Sequence, residues 1–350
     1  MAAKQKDKTN YISLASVLSC IAVVFLHTNG CFWRFDSDAG YWFSANIIES
    51  VFYYAVPVFF MIPGVTLLDF YERYTLKDYL EKRVKKTVIP YVVWSLIGLL
   101  YQIITLKTIQ PEEVTPRYIV EGLFNGNLVS VYWFFIPLFA VYLSLPLIAL
   151  VPREKRHDLF KYLVYVGLVF NILCPFIITV FSFNLHFPLQ VTVVSGHLIY
   201  VIIGWLINED KASKGMKTLI YCLALAGLLV HSIGTYKVSM EAGTVLRTFK
   251  GYLSLPCVLY SAGVFQLFRN KGDVLLKNKV VRKLTQIISK YTFSIYLLHV
   301  FVLRTATIVF KMDDTTLAFR LIAPFLIICI CILITAIIRK IPFLKWMLPV

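Results

Sequence analysis

The chain has 350 residues, of which 59% are hydrophobic and 15% charged, with a formal net charge of +16 at pH 7. Soluble domains average about 25% charged residues, so this composition excludes an ordinary soluble domain. The basic residues lie between apolar segments and do not gather on one polar surface, which argues against a nucleic-acid partner. We therefore expect an all-α integral membrane protein.

Apolar runs of about 20 residues predict helices that cross a lipid bilayer. Ten such runs follow one another in a single membrane domain over 1–350. The predicted spans are 11–28, 45–69, 87–106, 131–151, 160–180, 191–207, 217–233, 251–268, 287–310 and 318–338. The first run is longer than the apolar core of a secretory signal, and no small-x-small cleavage site follows it, so we predict a retained helix.

The distribution of basic residues predicts the orientation of these spans. With the N-terminus in the cytoplasm, most of the 35 Lys and Arg residues lie in cytoplasmic segments, and ten spans return the C-terminus to the same side. Two cytoplasmic loops, 71–90 and 269–290, are especially basic. Their charges suit either anionic lipid headgroups or a polyanionic cytoplasmic ligand, and the pattern alone does not separate the two.

Histidines in apolar spans are candidates for function, because ionisable groups are costly in lipid. His27, His197 and His231 lie near the predicted outer ends of spans, and His299 lies near the middle of the ninth. The alternative is that each histidine bonds a neighbouring helix and has a structural role only. Ser16 lies on the same helical face as His27, about 16 Å away along the axis, which suits either an interior cleft or close helix packing.

Glu49 lies one turn into the second span, at a depth similar to that of His27. A carboxylate beside an imidazole fixes its tautomer and raises its basicity, as in an acid–base pair. We therefore predict that Glu49 orients His27. The seven cysteines form no CxxC pair, so we expect no zinc site and no other metal.

Six segments occur in a characteristic order along the chain. They read SVLSCIAVVFLH, VPVFFMIPG, EKRVKKTVIPYVVWSLIGLLY, VYWFFIPLFAVYLSLPLI, IYVIIGWLI and YTFSIYLLHV. In order and spacing they resemble the bacterial membrane acyltransferase-3 family, over about residues 11 to 338. The resemblance implies a ten-span enzyme of the bacterial plasma membrane. Such an enzyme transfers an acyl group, usually acetyl from cytoplasmic acetyl-CoA, to a hydroxyl of a cell-surface or lipid-linked polysaccharide.

The resemblance also assigns residues. His27 matches the family's functional histidine in the first helix, and SIYLLH resembles the late-helix motif that contains His299. Arg83 and Lys86 match the basic pair of the family's cytoplasmic R-x-x-R segment. The implied role of His27 is that of a general base or a transient acyl carrier, with His299 as a secondary polar group.

This chain departs from the family pattern at two positions, and the first of them matters more because it concerns the donor. The family usually has arginine where this chain has Ser16, and serine where it has Pro63. Because serine supplies no charge, Ser16 alone could not bind the acyl-CoA phosphates. Their binding would depend on Lys82, Arg83 and Lys86 in addition to Ser16.

Two other functions are compatible with the helix count. One is a transporter or flippase for a glycan or small anionic solute, with His27 and Glu49 as a proton relay. The other is a non-catalytic assembly component. Membrane lipids are expected partners in every case, and a homo-oligomer is compatible with the sequence.

Overall fold

The structure is a computed structural model that describes residues 10–349, and every regular element within that range is helical. The α-helices, numbered α1 to α16 in chain order, are Asn10–Thr28, Tyr41–Phe52, Ala55–Thr66, Leu76–Arg83, Ile89–Tyr101, Pro116–Asn125, Phe135–Ala149, Arg153–Val166, Cys174–Val180, Leu198–Glu209, Lys214–Leu229, Thr235–Ala242, Leu255–Leu275, Lys279–Ile288, Thr292–Val309 and Leu317–Ile338. Helices satisfy every backbone hydrogen bond internally, as the interior of a bilayer requires.

Eight helical segments of the described chain are long and apolar enough to cross a membrane. They are Tyr11–Thr28, Tyr41–Glu72, Leu76–Leu106, Ser130–Ala149, Arg153–Val180, Lys214–Ala242, Thr292–Val309 and Leu317–Ile338. The prediction of an all-α membrane protein is thereby confirmed. The number of ten spans and the cytoplasmic location of both termini stay predictions, and residues 1–9, which carry the N-terminal charges, lie outside the described chain.

Three predicted spans differ from the helices that occupy their places. The span at 191–207 corresponds to α10, which begins only at Leu198 and has 12 residues. The span at 251–268 corresponds to α13, whose apolar part ends before Arg269. The span at 45–69 is divided into α2 and α3 at Tyr53 and Tyr54, although both residues keep right-handed helical backbone angles and the helical segment continues through them.

Helix α1 lies at the centre of the bundle and packs against α2, α3, α13, α14, α15 and α16. Its buried face includes Ala15, Cys20 and Val24. Because one helix touches six others, groups on its remaining face, Ser16 and His27 among them, can face an interior space.

The end of α1 is fixed by a buried arginine on α16. The side chain of Arg320 is 1% exposed. Its guanidinium donates to Asn29 Oδ1 (3.3 Å), Ser44 Oγ (2.8 Å) and the Thr315 carbonyl oxygen (3.1 Å). Charge-assisted bonds of this kind are about twice as strong as neutral ones. They join the residues just after His27 to the start of α2, the helix that carries Glu49.

Helices α3 and α10 cross closely through two glycines. A methyl group on Gly64 would overlap the carbonyl oxygen of Val201, and one on Gly204 would overlap that of Met61. Small residues let two helix backbones approach within a membrane, and here they do so from both sides.

A wide π-helical turn, Val84–Val88, joins α4 to α5 without a break. It begins directly after Arg83 and contains Thr87. Single π-helical turns inside α-helices are frequent at functional sites, because they re-aim the side chains beside them.

Candidate functional site

One cavity of about 700 Å³ lies inside the bundle. Four of the predicted site residues line it: Ser16, His27, Glu49 and Arg83. The structure therefore brings together side chains from α1, α2 and α4 that are far apart in the sequence. Cavities of this size hold small-molecule ligands, and a few convergent polar groups on a mostly apolar wall are typical of binding sites.

His27 lies beside His299, and the centres of the two rings are 5.0 Å apart. His299 is the eighth residue of the 18-residue α15, so His27 lies level with the middle of that helix and not at its end. His299 Nδ1 is 2.8 Å from the Tyr296 carbonyl oxygen and 3.1 Å from that of Ile295. Because a carbonyl oxygen only accepts hydrogen bonds, Nδ1 carries the proton, and in the neutral ring Nε2 is an acceptor.

The other nitrogen of His299 is buried and lacks a hydrogen-bond partner within residues 10–349. His299 does not line the cavity, whereas His27 does. His299 Nε2 is therefore a buried hydrogen-bond acceptor beside His27, and His27 lines the cavity.

Glu49 has a different partner from the one predicted. Its Oε1 accepts a hydrogen bond of 2.8 Å from Lys250 Nζ, and the two side chains are 4% and 1% exposed. No hydrogen bond joins Glu49 to His27 in the described part of the chain. Burial lowers the pKa of Lys250 from its ordinary value, while the adjacent carboxylate opposes that shift by stabilising the ammonium form.

Arg83 lines the cavity between two aromatic rings. The carbon of its guanidinium lies 5.2 Å from the centre of the Tyr142 ring and 5.5 Å from that of Tyr79. Its Nε is buried without a hydrogen-bond partner, and among residues 10–349 no carboxylate forms an ion pair with it. Arg83 is therefore a cation at the cavity wall that a bound anion could neutralise.

The other two predicted donor residues lie outside this cavity. Lys82 Nζ is 3.6 Å from the centre of the Tyr74 ring on the protein surface. Lys86 is exposed and does not line the cavity. Of the three basic residues predicted to bind the donor, the structure brings only Arg83 to the cavity with His27.

Several cavity residues were missed from the sequence. Lys250 lies outside the predicted spans, just before the one at 251–268, yet its side chain is 1% exposed. Tyr53 and Tyr252 stack with their centres 4.3 Å apart, and Trp133 stacks on Tyr252 at 5.3 Å. Arg247 lies over the Trp33 ring at 4.6 Å. The one available signal was the density of aromatic residues near charges at the ends of apolar runs.

No group of three or more His, Cys, Asp and Glu side chains able to hold a metal ion occurs among the residues that the structure describes.

These features define a polytopic helical membrane protein with an arginine, a histidine and an acid on the wall of an interior cavity. The chain belongs to the acyltransferase 3 family, whose model, described as an acyltransferase domain, matches residues 9–339. No curated protein and no solved structure gives a significant match. The family assignment made from the sequence is confirmed, and the class of activity is acyl transfer by a membrane protein.

Proposed function

We propose that this protein transfers an acetyl group from cytoplasmic acetyl-CoA to a hydroxyl of a cell-surface or lipid-linked polysaccharide at the bacterial plasma membrane. The observation that carries the proposal is the single cavity whose wall includes Arg83, His27 and Glu49. Two substrates that react with each other need one space that orients both, and orientation alone can supply a large part of the rate.

Arg83 is the candidate for binding the donor. CoA carries several phosphate charges, and a guanidinium binds phosphate through charge-assisted hydrogen bonds. The unpartnered Nε of Arg83 and the lack of a described carboxylate partner support this role. Lys82 and Lys86, which are exposed, would then act only through their contribution to the local positive potential.

His27 is the candidate for the chemical step. The acceptor hydroxyl gives its proton to a ring nitrogen of His27 while its oxygen bonds to the thioester carbonyl carbon. The carbon–sulfur bond then breaks, and the proton held by His27 passes to the departing CoA sulfur. In the other route, a ring nitrogen of His27 bonds to the thioester carbonyl carbon as the carbon–sulfur bond breaks, and the ring N–H proton passes to the CoA sulfur. The acceptor hydroxyl then attacks the acyl-imidazole and returns its proton to the ring as the bond between the acyl carbon and the ring nitrogen breaks.

His299 supports His27 in this proposal. Its Nδ1–H donates to a backbone carbonyl oxygen, so only Nε2 remains to accept a hydrogen bond from the neighbouring ring. An N–H of His27 that turns toward Nε2 would leave the other nitrogen of His27 free as the base. In this proposal His299 thus has the orienting role that the sequence assigned to Glu49.

The test compares His27→Ala with the wild-type chain in cells that lack the native protein. Loss of a general base lowers a rate by about 100- to 10,000-fold, so alkali-labile acetate on the cell-surface glycan should disappear. The purified variant should still show a rise in its thermal unfolding midpoint on addition of CoA, because Arg83 is intact. His186→Ala, which removes an exposed histidine, is the matched control and should leave both readouts unchanged.

Two results would contradict the proposal. One is a His27→Ala protein that reaches the membrane in normal amounts and still esterifies the glycan. The other is a wild-type protein that CoA does not stabilise but that moves a glycan or an anionic solute across a vesicle membrane, which would favour a transporter.

A further inference from the structure

We infer that the cavity wall around Glu49 is a saccharide subsite, in which Lys250 positions the Glu49 carboxylate to accept a hydrogen bond from a sugar hydroxyl. The place of this subsite in the reaction rests on the proposed function, since the bound sugar would be the acyl acceptor. Beyond the proposed function, this subsite specifies which groups recognise the sugar and which class of molecule they bind.

The first observation is the free oxygen of Glu49. Its Oε1 accepts from Lys250, but Oε2 is buried without a hydrogen-bond partner in the described chain, and the residue lines the cavity. An ionised carboxylate only accepts hydrogen bonds, and an unmade bond at a buried polar atom is unfavourable. A ligand hydroxyl in the cavity would supply the missing donor.

The second observation is the way in which Lys250 is held. Its ammonium lies 3.6 Å from the centre of the Tyr53 ring and 4.9 Å from that of Phe32. Aromatic faces attract a cation but accept no conventional hydrogen bond from it. Glu49 Oε1 is the one hydrogen-bond acceptor of the Lys250 ammonium among the described residues, so Lys250 fixes which oxygen of the carboxylate stays free.

The third observation is an aromatic wall beside this pair. Tyr53, Tyr252 and Trp133 form a continuous stack, with angles between successive rings of 6° and 20°. All three line the cavity. Trp133 ends the stack, and no other ring of the described chain stacks on its second face. Aromatic side chains combine a large apolar surface with a rigid plane, on which the flat C–H face of a pyranose can pack.

Together, these groups fit a sugar ring better than they fit a small anion. A free carboxylate oxygen repels an anion but accepts a hydroxyl, and a stack of rings offers apolar surface to a pyranose that an inorganic ion cannot use. Lys250 does not reverse this preference, because its charge is already paired with Glu49.

The experiment titrates methyl pyranosides of glucose, galactose, mannose, rhamnose and N-acetylglucosamine into the full-length protein in nanodiscs, with tryptophan fluorescence as the readout. Sorbitol, which has hydroxyls but no ring, is the ligand control. At least one pyranoside should quench the fluorescence saturably, and sorbitol should not. Glu49→Gln and Lys250→Met should each weaken that binding by about tenfold or more.

Three further variants separate positioning from folding. Lys250→Arg keeps a cation beside Glu49 and should retain binding within about threefold. Tyr252→Leu removes the middle ring of the stack and keeps the tryptophan reporter, and it should weaken binding although both charges remain. Lys237→Met, which removes an exposed lysine without a described partner, should change nothing. The thermal unfolding midpoint shows whether each variant is folded, and the double variant Glu49→Gln with Lys250→Met tests the site without a buried unpaired charge.

The inference is overturned if no pyranoside binds saturably, or if a folded Glu49→Gln or double variant binds as well as the wild type. Stabilisation by CoA is measured in parallel, so that the two proposals fail separately. CoA stabilisation without sugar binding removes the saccharide subsite and leaves acyl transfer from CoA standing. Sugar binding without CoA stabilisation does the reverse.

Discussion

Ser16 and Arg83 line the same cavity, but only Arg83 brings a charge to it. The guanidinium lies between the rings of Tyr79 and Tyr142, which hold it without neutralising it. Aromatic faces attract a guanidinium group, and the N–H groups at the edge of the guanidinium stay able to donate hydrogen bonds. The family pattern has an arginine where this chain has Ser16. Arg83 can compensate for that missing charge only if it makes most of the contacts with the donor phosphates.

We therefore expect Arg83→Gln to raise the KM for acetyl-CoA by about tenfold to a hundredfold, the usual cost of losing charge-assisted hydrogen bonds. The value of kcat should change much less, because the proposed role of the residue is to bind the donor and not to take part in the chemical step. Steady-state kinetics with acetyl-CoA as the varied substrate measures both values.

Two controls accompany this measurement. Ser16→Ala removes a neutral hydroxyl from the same cavity and should raise KM by less than about threefold. Arg282→Gln removes an exposed arginine from the second basic loop and should leave KM unchanged. Equal effects of Arg83→Gln and Arg282→Gln would mean that the overall positive charge, and not a specific contact, attracts the donor.

At the scale of helices, the contact between α3 and α10 depends on the absence of two side chains. Gly64 and Gly204 each face a backbone carbonyl oxygen of the other helix at a distance that leaves no room for a methyl group. Backbone atoms cannot move aside as a flexible side chain can, so an added methyl group must push the helices apart. Pro63, which lines the cavity, lies next to this contact.

Gly64→Ala should therefore destabilise the protein by about 1–3 kcal/mol, the usual cost of overpacking. Gly40→Ala is the matched control, because its methyl group would have no neighbour within 4 Å, and it should change stability by less than about 0.5 kcal/mol. Unfolding midpoints in one detergent, measured for both variants, check the difference. Equal midpoints would show that α3 and α10 can separate without cost.

At the scale of the whole molecule, the orientation predicted from the basic residues can be tested directly. In a background without native cysteines, Lys77→Cys should react with a membrane-impermeant maleimide only after the cells are opened. Asp38→Cys should react in intact cells. Both positions are exposed, so labelling depends on the side of the membrane and not on burial. Reversed labelling would place Arg83 on the side of the membrane opposite to cytoplasmic CoA.

The sequence predicted the helical membrane fold because a bilayer leaves few alternatives for an apolar run of about 20 residues. It was less accurate where a run was short or was bounded by polar residues inside the bundle, as at α10 and α13. The length and hydropathy of a segment indicate whether it can be exposed to lipid. They do not show whether other helices of the protein separate that segment from the lipid.

The candidate site was predictable only in part, for a related reason. Ser16 and His27 share a face of one helix, so helical geometry was enough to associate them. Lys250 is 201 positions from Glu49 and lies between predicted spans, as a solvated loop residue would, yet its side chain is buried against Glu49. The partner of a buried charge is set by tertiary packing, which hydropathy does not encode.

The wide turn at Val84–Val88 has a consequence for how related chains are compared. It contains one residue more than the ordinary turn it replaces, so deletion of one residue there would restore regular helix and leave α5 in place. Because the wide turn itself absorbs the extra residue, α4 would keep its orientation and Arg83 would stay at the cavity wall. A one-residue gap at this point in an alignment would thus leave the bundle and the position of Arg83 unchanged. Related chains that differ here by one residue should therefore be aligned with the gap inside 84–88 and not at Arg83.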